Sequence, residues 1–290
     1  MSEPYWIIVP FINAWEMTSQ AIRDFLGQTG LPSPPQVLAI DNGSRNEVRE
    51  AIDQWAANEP RLHVWHHRPG LPSLSASWNA GLDFVWRQGG EVALVANNDL
   101  RLHPQTYATL LATLQVEDAL FVTAVGRREP DLNWSEYFAA PLTYTGTGSH
   151  GGPDFSCFLI SHACHDLVQF DERHIPAYLE DCCYHREMML GGHGTRIFSI
   201  NVPYLHYASG TINQETDPKR LADWARRIEQ SRAHYRRCWG GDVNAERYMV
   251  KGDPTTAQDG ATNPDLQRLF LGAPPCDDAC TATVDSPAHD

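Results

Sequence analysis

Short apolar runs and amphipathic stretches alternate along the first hundred residues. Trp6-Ile7-Ile8-Val9-Pro10 is a β-branched run closed by a proline and reads as a strand. Residues 15–26 follow, with Ala21, Ile22, Phe25 and Leu26 at helical spacing. Gly30 to Pro35 is a loop, Val37-Leu38-Ala39-Ile40 a second strand, and Asp41-Asn42-Gly43-Ser44 its turn. Residues 46–57 repeat the helical pattern through Val48, Ile52 and Trp55. Leu62 to Trp65 makes a third strand, residues 68–74 a loop rich in Pro and Gly, and residues 75–86 a third helix. Val92-Ala93-Leu94-Val95-Ala96 closes the series. Five apolar residues without a break read as a strand buried on both faces of a parallel sheet. Strands and helices alternating at this spacing imply βαβ units.

The pattern loosens after residue 115. Strands are expected at 120–125, 155–160 and 196–202, and helices at 179–190 and 218–235. Residues 126–153 read as loop. From about Gly252 the composition turns to Pro, Asp, Thr, Ala and Gly, which predicts an extended or disordered tail. The expected fold is therefore α/β, a mostly parallel sheet flanked by helices in a single domain. Its nucleotide-binding half is 1–115, its second half 116–250, and its tail 251–290.

Charge and cysteine usage narrow the function. With 22 Lys and Arg against 36 Asp and Glu, a net charge of −14 argues against a broad nucleic-acid-binding surface. No run of 18 apolar residues predicts a membrane span. The first ten residues carry neither the positive start nor the cleavage site of a signal peptide. Seven cysteines without zinc-type pairing fit a cytoplasmic chain with reduced thiols.

Polar residues cluster where apolar strands end. Pro10, the Asp41-to-Ser44 turn and Asn97-Asn98-Asp99 all fall there, and Glu180-Asp181 precedes a helix. Ligands of open α/β sheets bind at the carboxyl ends of strands. Asp99 is a hard oxygen ligand suited to Mg²⁺ or Mn²⁺, or else a plain helix cap.

The order Ile-Ile-Val-Pro, Ala-Ile-Asp-Asn-Gly-Ser, Ser-Trp-Asn-Ala-Gly-Leu, Val-Ala-Asn-Asn-Asp-Leu, Phe-Asp-Glu-Arg-His-Ile-Pro-Ala-Tyr-Leu-Glu-Asp and Leu-His-Tyr resembles the GT-A fold glycosyltransferases of the large inverting family 2. The likeness runs over residues 5–210. The later His-Tyr-Arg-Arg-Cys-Trp-Gly-Gly resembles the ending of some phage-encoded members. The resemblance implies a UDP- or dTDP-linked sugar donor, a Mn²⁺ or Mg²⁺ ion, and transfer of a hexosyl or pentosyl group with inversion. The acceptor would be a glycan, a protein or a hydroxymethylated base in DNA.

The resemblance also implies roles. Asp41 accepts the imide N–H of uracil or thymine, or only bonds its own turn. Pro10 and Phe11 line the base pocket; Arg68 and Asn79 lie near the nucleotide. Asp99 holds the metal. Asn97 and Asn98 lie beside it, where the family usually has acids, so the site carries less charge. His206 is a second metal ligand or a packed ring. Asp181 is the base that takes the acceptor proton, with Glu180 its neighbour. Trp134, Tyr137 and His150 stack on a sugar or anchor their loop. The Arg226-Arg227 and Arg236-Arg237 pairs read as a solvated helix face. Two other readings stand beside this one. A nucleotidyltransferase would need a Gly-rich basic loop, which Phe11 to Glu16 do not supply. A non-catalytic binding module is favoured by the two asparagines.

Overall fold

A computed structural model describes residues 4–142, 153–207 and 218–258. Eight strands form one sheet: β1 Trp6–Phe11, β2 Gln36–Asp41, β3 Leu62–His66, β4 Val92–Ala96, β5 Leu100–Arg101, β6 Phe121–Arg127, β7 Cys157–Ser161 and β8 Ile197–His206. Their order is β3-β2-β1-β4-β7-β6-β8-β5. The helices are α1 Trp15–Leu26, α2 Asn46–Ala56, α3 Leu74–Arg87, α4 Thr106–Val116, α5 Trp134–Ala139, α6 His162–Leu167, α7 Glu180–Leu190 and α8 Pro218–Trp239.

The first four strands pair in parallel, as βαβ units require. The sheet then reverses. β7 runs antiparallel to both β4 and β6, while β6 and β8 are parallel. β5 is a two-residue strand that pairs antiparallel with β8 at the far edge. The fold is thus the expected mixed, mostly parallel α/β sheet.

Apolar strands are buried on both faces because alternate residues serve two cores. Ile7, Val9 and Phe11 of β1 face α1, α2 and α4, meeting Ile22, Phe25, Ile52 and Leu110. Trp6 and Ile8 face α3 and α7, meeting Trp78, Leu82, Val85 and Tyr184. A third, smaller cluster joins Leu179 and Cys183 to Tyr235, Cys238 and Trp239. Neither α1 nor α7 has a side-chain N-cap. A missing cap costs about 1 kcal/mol. Burying a side chain such as Ile22 or Phe25 contributes about 1.5–3 kcal/mol, so packing holds these helices.

Several elements differ from the sequence expectation. Helix α4 has Thr106, Tyr107, Thr109, Leu110, Leu111 and Thr113 all buried, so no polar face marks it in the sequence. The stretch 126–153 is not all loop: β6 continues to Arg127, and α5 starts at Asn133, whose side chain accepts from the Glu136 N–H. α8 continues to Trp239 because its last turn is buried against α7. Residues 251–258 pack on the body of the protein. Lys251 pairs with Asp171 and Glu187, Gly252 N donates to Cys238 O, and Tyr248 bridges Ala257. His150 and the tail beyond 258 lie outside the described residues.

Gly81 reports how closely α3 packs on the sheet. A Cβ there would lie 2.7 Å from Ile8 Cγ2 and 3.1 Å from Ile40 Cδ1. Gly81→Val is expected to lower stability by about 1–3 kcal/mol through overpacking. Urea denaturation reads this, and a midpoint equal to the parent's would show that the α3 interface yields.

Candidate functional site

Three strand ends meet at one edge of the sheet. β1 and β2 are in register there, Pro10 opposite Ile40 and Phe11 opposite Asp41. Pro10 and Phe11 are buried. The Asp41 side chain is fully buried. Its Oδ1 accepts from Ser44 N at 2.8 Å, and its Oδ2 lies 2.8 Å from His66 Nδ1 and 3.3 Å from Arg49 Nε. Burial alone would raise this carboxyl; the hydrogen bonds from Ser44 and His66 outweigh it and hold the group below its ordinary value. The turn bond weighed as an alternative role for Asp41 is therefore present. Arg68 reaches the same turn, donating from Nη2 to Asn46 Oδ1 at 2.8 Å and Ser44 O at 3.4 Å.

The end of β4 forms the second cluster. Asn97 N donates to Ser156 O at 2.9 Å. Asn98 Nδ2 donates to Thr18 Oγ1 at 2.9 Å, and Thr18 Oγ1 donates to Asn13 O at 3.4 Å. Asn13 N in turn donates to Ser44 Oγ at 2.7 Å. This chain of bonds ties the ends of β4, β1 and β2 together. It also gives a physical reason for an amide at 98: the Thr18 proton is spent on a carbonyl, so Thr18 needs a donor that an aspartate lacks.

Asp99 and His206 are brought together by the pairing of β5 with β8, in which Leu100 opposes His206. His206 Nε2 lies 3.4 Å from Asp99 Oδ1. His206 does not follow its strand, as the sequence pattern suggested, but ends it. The strand passes Pro203 through an irregular register with β6. Burial would depress His206; its hydrogen bond to Asp99 and the charges of Asp99 and Asp154 outweigh that and hold it above the ordinary imidazole value.

Asp154 was not singled out by sequence. Its Oδ2 accepts from Gly126 N at 3.0 Å and its Oδ1 from Ser156 N at 2.9 Å, and its charge is felt at both His206 and Asp181. The signal was an acid just before an apolar strand. In a parallel sheet that position belongs to the opposite edge, and only an antiparallel β7 brings it here.

Asp181 is the second residue of α7, which Glu180 opens after two consecutive left-handed residues, Tyr178 at φ 78° and Leu179 at φ 69°. It is half-buried, and its Oδ1 accepts from Cys182 N at 2.7 Å. Burial, aided by the charge of Asp154, pushes its carboxyl up despite that hydrogen bond. Glu180 beside it is buried, with Oε2 lacking a hydrogen-bond partner. Burial first, then the Asp181 charge, push the Glu180 carboxyl well above the usual range.

Asn79 stands apart from both clusters. Its two amide protons go to Phe170 O at 2.8 Å and Glu172 Oε1 at 3.0 Å, and its Oδ1 accepts from Phe170 N at 3.2 Å. It braces α3 to the chain leading into α7. The Trp134 ring packs on Tyr137 and Phe138, an anchor for its loop. Arg226 and Arg227 pair with Asp223, and Arg236 with Glu229 and Asp242, as a solvated face does.

The sequence model described as glycosyl transferase family 2 matches residues 6–165, more than half the chain. The chain belongs to glycosyltransferase family 2. No curated protein sequence matches it. Among solved structures it is similar to TarS residues 1–349 of S. aureus, with a TM-score of 0.54 and 13% identity, covering 80% of this chain and 72% of that one. It is similar also to the mannosyltransferase PcManGT from Pyrobaculum calidifontis, in complex with GDP-Man and Mn²⁺, with a TM-score of 0.55 and 13% identity over 79% and 73% of the two chains. GalNAc-T7 with UDP, GalNAc and Mn²⁺ gives 0.54 and 14% over 70% of this chain and 43% of that one. At such identities these structures show the GT-A fold. Family membership makes the chemistry glycosyl transfer.

A divalent metal fits the residues present. A carboxylate and an imidazole converge within 3.4 Å at the sheet edge, an O,N donor set acceptable to Mn²⁺. Asp99→Asn should lower Mn²⁺ affinity about tenfold or more, equivalent to about 1.4 kcal/mol. Electron paramagnetic titration of free Mn²⁺ reads this, and unchanged affinity would remove Asp99 from the metal. Asn98→Asp should destabilise by about 1–3 kcal/mol, since it buries an acceptor facing an acceptor. Thermal unfolding at neutral pH tests it, and an unchanged midpoint would mean Thr18 has another donor.

Proposed function

We propose that the chain transfers a hexosyl or pentosyl group from a UDP- or dTDP-linked donor to an acceptor hydroxyl, with inversion at the anomeric carbon. The observation that carries this reading is the convergence of Asp99 and His206, with the charge of Asp154 felt at both His206 and Asp181. Residues 1–115 form the donor half and 116–250 the acceptor half. Pro10, Phe11, Asp41 and Arg68 bound the nucleotide, with Asp41 as the acceptor of the pyrimidine imide N–H. Asn97 and Asn98 shape the turn beneath the diphosphate. Asn79 acts on the donor through its brace to Phe170.

Asp99 and His206 would hold Mn²⁺ or Mg²⁺, which when bound offsets the charge of the departing diphosphate. Mn²⁺ accompanies the donor or nucleotide in two of the similar structures. Asp181 takes the proton of the acceptor hydroxyl as its oxygen bonds to the anomeric carbon. The bond from that carbon to the diphosphate oxygen breaks, and the diphosphate leaves with the electron pair. A carboxyl raised by burial is a stronger base than a solvated one, which supports this role.

The acceptor is a glycan, a protein or a hydroxymethylated DNA base; a net charge of −14 weighs against the last. Among the described residues no helix is long and apolar enough to cross a membrane. A cytoplasmic setting is supported by five free cysteines among those residues.

Asp181→Asn keeps size but removes basicity. Transfer should fall at least about 10²-fold, with donor affinity by calorimetry nearly unchanged, and Glu180→Gln should do less harm. Transfer within a few-fold of the parent would sink the assignment. A loss explained wholly by weaker donor binding would move Asp181 to the metal instead.

A further inference from the structure

Behind the first turn of α7 lies a second polar cluster that glycosyl transfer does not use. It gathers residues from three distant segments: Asp171 and His174 before α7, Cys183 on α7, and His234 and Cys238 on α8. Asp171, His174 and Cys183 offer ligand atoms within 4.8 Å of one another, and so do Asp171, His234 and Cys238. His174 and Cys183 are fully buried, and Cys238 and His234 are 5% and 7% exposed.

The protons of this cluster can be assigned. Ser231 has one hydroxyl proton and donates it to Tyr178 O at 2.7 Å. Its 2.8 Å contact with His174 Nδ1 must then be donated by the ring. A neutral His174 therefore carries its proton on Nδ1 and a bare lone pair on Nε2. That Nε2 is buried and has no hydrogen-bond partner. Fixing one imidazole nitrogen so that the other can bind is how proteins orient metal-ligating histidines.

The sulfurs are placed to match. Cys183 and Cys238 pack in one small buried cluster with Trp239. Trp239 Nε1 donates to Cys183 Sγ at 3.4 Å. His234 Nε2 lies 3.4 Å from Cys238 Sγ. Metal bonds of about 2.3 Å to sulfur and about 2.0–2.1 Å to nitrogen, at the tetrahedral angle, give an S···N edge of about 3.5 Å. Asp171 belongs to both groups and its Oδ2 lies 3.0 Å from His234 Nε2, but Arg173 and Lys251 already occupy its oxygens, so it serves the cluster as a partner of His234 rather than as a ligand.

We propose that one thiophilic divalent cation, Zn²⁺, draws the Cys183–His174 and Cys238–His234 pairs of these two neighbouring groups together into one structural site. Two thiolates and two imidazoles are a closed Zn²⁺ ligand set. Two thiolates also balance the ion's charge, so the burial needs no further counter-charge. A disulfide between the cysteines would leave the lone pair of His174 Nε2 unpaired. The ion would clamp α8 to α7 two residues from Asp181, and so fix the helix that presents the base.

The test uses the intact chain. Purified without chelator, it should contain about one zinc ion per molecule. Exchange of that ion for Co²⁺ should give tetrahedral visible bands and a near-ultraviolet thiolate-to-cobalt charge-transfer band. Asp99 and His206 carry no sulfur, so Asp99→Asn should keep that band. Ser231→Ala should keep the band and weaken the metal about 10–100-fold. Combined Cys183→Ser and Cys238→Ser should lose both zinc and band. Reading cobalt on the unmutated chain guards against a variant that does not fold. A chain that takes up Co²⁺ without the charge-transfer band, or mass spectrometry showing a Cys183–Cys238 disulfide in the freshly purified protein, would overturn the proposal.

Discussion

Everything at the candidate site depends on the hydrogen-bond ladder between β4 and β7. Val92 to Ala96 pair antiparallel with Ser161 to Cys157, so the last residue of one strand meets the first of the other. The ladder is extended one step by Asn97 N donating to Ser156 O. An antiparallel neighbour inverts which end of a strand faces the ligand edge. Residues preceding β7 are thereby delivered beside residues following β4. Without that inversion Asp154 and Asp99 would sit at opposite edges of the sheet, about five residues of strand apart, or roughly 17 Å.

The same edge then has to keep several charges in partial burial. A carboxylate shielded from water is tolerated only with partners. Asp41 has a backbone N–H, an imidazole and a guanidinium. Asp154 has two backbone N–H groups, one of them reached because Gly126 has no side chain. Asp99 has His206, supplied by a two-residue strand whose pairing with β8 sets the distance. Glu180 and Asp181 have less, and both are driven toward the protonated form by burial. The carboxyls therefore divide into those stabilised as charges and those made basic, and the proposed assignment of Asp181 as the base rests on that division.

The first 115 residues were legible in the sequence because most of their strands and helices each show a clean period. The edge acids Asp41 and Asp99 followed from strand ends alone. What stayed hidden had physical causes. α4 buries its threonines together with Leu110 and Leu111 and exposes only its last two residues, so no polar stripe announces it. Asp154 is meaningless until the direction of β7 is known, and direction is a tertiary property. His206 looked like a residue after a strand because Pro203 normally ends one; here the proline falls where the register with β6 shifts. Asn79 carried the right residue type in the right motif, yet its amide is spent on the backbone at Phe170, a partner 91 residues away. The thiol–imidazole cluster was illegible for the same reason. Its cysteines lie 55 positions apart, read from Cys183 and Cys238, and no short zinc-type spacing joins them.

That cluster bears on how the start of α7 is built. α7 begins without a side-chain cap and after two residues in the left-handed region, each a conformation that non-glycine residues hold only when the surroundings insist. The surroundings are specific. Ser231 on α8 takes hold of the Tyr178 carbonyl, Asn79 fixes the chain at Phe170, and Trp239 and Cys238 pack against Cys183. The sheet positions Asp99, but the sheet does not position Asp181. The first turn of α7 is instead located by α8 and by the segment from Phe170 to Tyr178. A carboxylate placed by a separate, smaller core can be re-aimed by changes in that core while the sheet edge stays fixed. The packing of α7 on α8 is therefore what sets Asp181 relative to Asp99, and in the proposed mechanism it sets the base relative to the metal.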